Sequence, residues 1–190
     1  VYKAGSKERK SAQSALFLIV KDLTRLLAPV LAFTAEEIWD HVPAFAGREE
    51  SVHLSTMPVS EPSLKDDDLK EKWVRILVLR QEVSKVLEVA RREKVIGHPL
   101  DSDVRLKADG ETLEFLKSVE PLLEDVFICS KVEVSKGDGP FIESENFSQL
   151  GIEAAKAPGA KCPRCWHYRE DIGKSSTHPE ICGRCAEQLA

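Results

Sequence analysis

The sequence predicts a mainly α protein with a small α+β part: a helical bundle over residues 1–97, a small α+β unit over 98–157 and a C-terminal four-cysteine finger over 158–190. Three observations carry this. Apolar residues recur with the helical period from Leu16 to Val30 and again from Leu69 to Ala90. Between residues 104 and 134, short stretches alternate apolar with charged residues or are rich in β-branched ones. Two Cys-x-x-Cys pairs, Cys162-Pro163-Arg164-Cys165 and Cys182-Gly183-Arg184-Cys185, then enclose sixteen residues.

In chain order, Leu16, Ile19, Val20, Leu23, Leu26, Leu27 and Val30 form one stripe of an amphipathic helix that ends near Pro29. In the next segment Thr34 is placed to cap a second helix, with Glu37 completing a capping box and Phe33 stapling onto Ile38; Pro43 stops it. Residues 43–63 are rich in turn formers and read as a crossing loop with a short β-like stretch at Val52-His53-Leu54. From Asp66 to about Lys94 a long helix follows. Leu69, Ile76, Val83 and Ala90 repeat every seven residues, Leu79 and Val86 lie between them, and Trp73 is alongside. Asp66, Asp67 and Asp68 open that helix and Arg91, Arg92 and Lys94 close it, the order the helix dipole favours.

Gly97 and Pro99 break the pattern. Beyond them Val104-Arg105-Leu106-Lys107 alternates as a strand, Leu113 to Val119 suits a short helix, and Val126 to Val134 reads as a second strand with Cys129 packed inside it. Lys136-Gly137-Asp138-Gly139-Pro140 is a turn whose glycines are too few for a phosphate loop.

The four cysteines have the spacing of a closed tetrahedral thiolate site, and a module of about thirty residues with few large apolar side chains needs such a metal or a crosslink to fold. Zinc is the ion expected, in a structural role. Iron is open to the same four thiolates, two disulfides would need an oxidising compartment for which no secretory signal speaks, and redox Cys-x-x-Cys motifs come singly. Pro163 and Gly183 follow the first cysteine of each pair, where a tight turn aims sulfurs at one ion.

Function classes narrow accordingly. The longest apolar run, Ala15 to Val20, is too short to span a membrane. Net charge is −5, yet Lys156 to Cys185 holds six basic residues against three acidic ones, so positive charge is local. No P-loop, GxGxxG, nucleophile elbow or HExxH is present. His41, His53 and His98 lie in scattered contexts, and His167 and His178 fall inside a metal loop that four cysteines already complete. No catalytic residue is assigned. What stands out is Trp166-His167-Tyr168-Arg169 directly after Cys165, with Arg164 and Arg184 in the two turns. Aromatic rings and guanidinium groups on a rigid knuckle can stack unpaired bases and hold phosphate, although Trp166 could equally roof the metal site.

At this point the residues carry a resemblance. The stretch LLAPVLAFTAEEIWDHVP from Leu26 to Pro43 resembles the anticodon-binding helical domain of the class I aminoacyl-tRNA synthetases for isoleucine, valine and leucine, and LRQEVSKVLEVARREKVIG from Leu79 to Gly97 resembles the region that follows. The ending KCPRCWHYREDIG with HPEICGRCAEQL resembles the C-terminal zinc module of the bacterial isoleucine enzymes, a feature that selects isoleucine within the group. The resemblance implies a fragment of a cytoplasmic, monomeric ligase that attaches isoleucine to tRNA. ATP and Mg²⁺ would be used only in a catalytic domain whose HIGH-like and KMSKS-like motifs are missing here, leaving this piece inactive alone. It implies the anticodon stem-loop of the isoleucine tRNA as partner, with Trp166, His167, Arg169, Arg164 and Arg184 as RNA contacts. The same finger type also resembles that of the formamidopyrimidine DNA glycosylases, but their N-terminal Pro-Glu pair is absent. A zinc-bound scaffold for another protein is the remaining alternative.

Overall fold

The structure, a computed structural model, describes residues 2–137, 142–143, 146–147 and 150–189. The chain divides into two compact units, Val1–Lys65 and Asp66–Ala190.

In the first unit, α1 (Lys7–Leu27) starts nine residues before the expected stripe, because the Ser6 hydroxyl accepts the Arg9 N–H and caps it there. Its buried side is not the one the stripe suggests. Thr24 and Ala28 are buried, and Phe17 and Val20 pack with them against Ala35, Trp39 and Val42, while Leu16, Ile19 and Val30 are 65%, 60% and 80% exposed. Helix α2 (Ala32–His41) follows after a turn in which the Val30 and Leu31 N–H groups both donate to the Leu27 carbonyl. The expected capping box is absent: Thr34 is already inside the first turn, the N-cap is Leu31 without a side-chain bond, and Phe33, 93% exposed, staples nothing. Packing decides this start, since Ala35 and Trp39 are the residues that bury against α1. The helix does stop before Pro43.

The β-like stretch is instead a 3-10 turn, Val52–Leu54. Glu36 on α2 accepts from the Ser51 hydroxyl (2.9 Å) and the Val52 N–H (3.0 Å), and Ser51 in turn accepts from His53 N–H. Side chains therefore satisfy the backbone that a neighbouring strand would have paired. The Trp39 indole donates to the Glu49 carbonyl at 2.9 Å, and the ring carries Arg48 at 5.3 Å.

In the second unit α3 (Asp67–Arg92) begins where the charges place it, with the Asp66 carboxylate accepting the Leu69 N–H at 2.9 Å. Here the stripe is the buried face: Ile76, Leu79, Val83, Val86 and Ala90 enter the core, with Leu69 and Trp73 left open at the start. A strand β1 (Ser102–Ala108), a helix α4 (Gly110–Phe127) and a strand β2 (Lys131–Lys136) form a parallel β-α-β crossover. The backbone then adds β3 (Ile142–Glu143) and β4 (Leu150–Lys156) in a sheet of order β2-β1-β4-β3, with β4 antiparallel to β1. Val104, Leu106 and Ala108 of β1 and Leu150 and Ile152 of β4 share one core with α3 and α4. Arg105 on the opposite face lies 3.8 Å from Glu133 and 3.6 Å from Glu153.

Two expectations change here. Helix α4 is longer than Leu113 to Val119 and continues through Pro121 to Phe127, because Leu116, Val119, Leu123 and Phe127 keep one buried face past the proline. The second strand is correspondingly shorter than Val126 to Val134. Cys129 is buried but sits in the connection before β2, where burial above all, then the Glu124 charge, pushes its thiol up to about 12; it packs and is not reactive. The compact units meet at residue 65, and α3 buries its stripe on the sheet. Of the expected turn, Asp138, Gly139 and Pro140 lie outside the described residues.

Candidate metal centre

The finger is built from a two-stranded hairpin, β5 (Ala160–Lys161) with β6 (Tyr168–Arg169), and a short helix α5 (Gly183–Glu187). Gly159 opens the hairpin at φ 88°, and a Cβ there would lie 2.3 Å from the Arg169 carbonyl oxygen, so only glycine fits. Between the strands the first knuckle closes on itself: Trp166 N–H donates to the Cys162 carbonyl and Cys162 N–H to the His167 carbonyl, both at 2.9 Å. Trp166 adopts φ 67° to make this turn. In the second knuckle Cys182 is the N-cap of α5. At Gly183 the Asp171 carboxylate accepts the N–H at 2.9 Å, and a Cβ would meet that oxygen at 2.7 Å, so a larger residue would have to displace the Asp171 side chain.

The two knuckles bring the sulfurs of Cys162, Cys165, Cys182 and Cys185 within 4.8 Å of one another, and none is in a disulfide. Cys165 Sγ and Cys182 Sγ are 3.7 Å apart. A tetrahedron with metal–sulfur bonds of about 2.3 Å has edges of about 3.8 Å, so this set fits zinc. Cys162, Cys182 and Cys185 are buried, and the Cys182 N–H donates to Cys162 Sγ at 3.4 Å, the backbone-to-sulfur bond that favours thiolate. Burial alone would raise the Cys162 thiol, but the N–H groups of Cys165, Cys182 and Arg164 outweigh it and bring it to about 6. Burial sends Cys182 up to about 12. One sulfur is thus prepared as an anion, while neighbouring thiols resist a second charge until a cation joins them. The set fits a structural zinc, which Cys162, Cys165, Cys182 and Cys185 would hold with no open position left for a reacting molecule.

The residues named for RNA separate in the structure. Trp166 projects outward, 61% exposed. His167 is buried and its Nδ1 lies 3.0 Å from the Cys165 carbonyl oxygen; burial holds the imidazole below its ordinary range, and its ring is closed to a base. Arg169 pairs with Glu124 of α4 at 2.6 Å and is 23% exposed. Arg184 is 3.9 Å from Asp125, and Arg164 donates to the Cys185 carbonyl at 3.3 Å. These arginines therefore fasten the finger to α4 and to itself. The Tyr168 N–H adds a 2.6 Å bond to the Ser130 hydroxyl. Sequence reasoning missed Glu124, Ser130 and Asp171 as positioning residues; Glu124 is 45 residues before its partner, and no local pattern marks it.

Comparison with known proteins completes the picture. The family described as the anticodon-binding domain of tRNA ligase matches residues 1–106, and the zinc finger found in FPG and IleRS matches residues 159–188. Isoleucine--tRNA ligase of Geobacter sulfurreducens is 47% identical over 94% of this chain and 19% of that protein. The ligase of the same name from Syntrophotalea carbinolica is 45% identical over 95% of this chain and 19% of its own length, and that of Caldanaerobacter subterraneus 43% over 99% and 20%. The chain spans about a fifth of the length of the curated relatives it matches. These relatives do not favour the DNA glycosylase alternative. Among the described residues no helix is long and apolar enough to cross a membrane. With 106 of its 190 residues under one family model, the chain belongs to the family of anticodon-binding domains of tRNA ligases.

Proposed function

We propose that this chain recognises the anticodon stem-loop of the isoleucine tRNA as part of a monomeric, cytoplasmic ligase that attaches isoleucine to tRNA, with ATP and Mg²⁺ used in other parts of that protein. The observation that carries the reading is the pairing of an anticodon-binding match at one end with the finger at the other, in one chain similar throughout to isoleucine ligases. Nothing in the finger performs bond chemistry. Zinc supplies rigidity: it locks both knuckles, so Trp166 is presented without the ordering cost a flexible loop would add. An exposed indole on such a knuckle stacks an unpaired base. Arg169, Arg164 and Arg184 act as positioning residues that keep the knuckle seated, and His167 fills the space beneath it.

Titration of the zinc-loaded chain with an isoleucine anticodon stem-loop, an unrelated stem-loop and a lesion-bearing DNA duplex tests the reading. Preference for the first supports it; equal or tighter binding of the duplex overturns it. Trp166→Ala is expected to weaken stem-loop binding by about 1–3 kcal/mol with zinc content unchanged. Unaltered affinity would remove Trp166 from the RNA contact.

A further inference from the structure

A cleft of about 470 Å³ opens in the second unit where the end of α3, the end of β4 and the finger strand β6 come together. Arg91, Lys94, Asp101, Lys156 and Tyr168 line it. Arg91 is held by Glu88 at 2.7 Å. Among the described residues neither Lys94 nor Lys156 has an ion-pair partner, both are exposed, and the Tyr168 hydroxyl makes no hydrogen bond. The one acidic wall, Asp101, already accepts the Gly97 and His98 N–H groups at 3.1 and 2.9 Å, which offsets its charge.

Lys94 carries a second, independent sign. After α3 the Lys94 N–H donates to the Arg91 carbonyl and the Val95 N–H to the Ala90 carbonyl, a full Schellman ending. Lys94 fills its left-handed position at φ 62°, where glycine is the unstrained residue. The chain thus keeps a lysine against its backbone preference. Attraction of cations to a helix C-terminus accounts for Arg91 and Arg92 but not for Lys156, which arrives from a strand, nor for Tyr168, which arrives from the finger. Two lysines and a tyrosine that line one cleft beside a net-acidic body offer a donor set for one anionic oxygen cluster.

We infer that this cleft holds a backbone phosphate of the bound RNA, gripped by Lys94 and Lys156, with the Tyr168 hydroxyl donating to it. The inference rests on the RNA-binding reading and adds to Trp166 a phosphate site two residues along the same finger segment. Phosphate contacts position and do not specify.

The test titrates the full chain and its Lys156→Gln, Lys94→Gly and Tyr168→Phe variants with the isoleucine anticodon stem-loop and an unrelated stem-loop across a salt series. Each lysine variant is expected to bind both RNAs about five- to tenfold more weakly near 0.1 M salt, with the salt slope lowered by about 1. Lys94→Gly relieves the positive φ, so its melting temperature should hold or rise, which separates lost binding from lost fold. Wild-type affinity and slope in both lysine variants would overturn the phosphate site while leaving the RNA reading intact. A wild-type chain that binds neither RNA overturns the RNA reading and the site with it.

Discussion

Helices α1 and α3 carry the same sequence signal and meet opposite fates. Both show apolar residues at helical spacing, yet Leu79, Val83 and Ile76 of α3 are almost wholly buried, whereas Leu16, Ile19, Leu23 and Leu26 of α1 are exposed. The difference lies in what surrounds them. Helix α3 lies on a sheet that presents Leu106, Leu150 and Ile152, while α1 in its own unit meets one short helix and a loop, through Phe17, Val20, Thr24 and Ala28. Periodicity reports that a face wants covering; it does not report which cover is present. The finger extends the contrast, since its cluster consists of cysteines with Ile172 and Ile181 and has no large apolar core at all.

Four measurements sharpen or break this comparison. The largest effect belongs to the finger: Cys182→Ser is expected to abolish stoichiometric zinc, and because structural zinc supplies about 10–16 kcal/mol in isolated fingers, residues from about 159 onward should lose their fold while α3 and the sheet keep theirs. Amide spectra of metal-free protein would read this, and collapse of the whole second unit would refute separate support. In the α/β core, Leu79→Ala should cost about 2–5 kcal/mol in urea unfolding, as expected for a fully buried leucine.

Asp103 tests the sheet's open face. Its Oδ1 is buried without a hydrogen-bond partner, and burial pushes the carboxyl up, with Lys131 and Arg105 opposing. Since the folded pKa exceeds the unfolded one, stability from this group is fully present below the ordinary carboxylate range and is lost as pH rises through the raised value. Asp103→Asn should therefore stabilise by about 1 kcal/mol at neutral pH, with the gain vanishing below about pH 4. A gain that persists at low pH would assign the effect to packing. The smallest effect belongs to α1: Leu23→Ala should change unfolding stability by no more than about 0.5 kcal/mol, because its side chain is half-exposed. A loss comparable to that of Leu79→Ala would mean that the α1 face is covered after all.

Local chemistry was legible where one stretch of chain carries the whole cause. Asp66 caps α3 because the bond closes within three residues, and the four cysteines converge because each pair is a single tight turn. Misreadings arose where a distant group supplies the partner. Thr34 and Glu37 make a capping box on paper, but α2 starts at Ala32, where Ala35 and Trp39 can reach Ala28. Val52-His53-Leu54 has strand residues, yet Glu36 on α2 takes its first N–H. Arg169 looks like a free guanidinium beside a metal knuckle until Glu124 is seen opposite it.

By itself the sequence determined the cysteine cluster, the existence of the four long helical segments and the family, because thiolate spacing, helical period and motif identity are properties of short segments. Only the tertiary structure decided which helix face is covered, that Trp166 is left open while His167 and Arg169 are enclosed, and that Lys94, Lys156 and Tyr168 share one cleft. Those outcomes depend on pairings between residues far apart in the chain. Burial and ion pairing fix them only after α3, the sheet and the finger have come together.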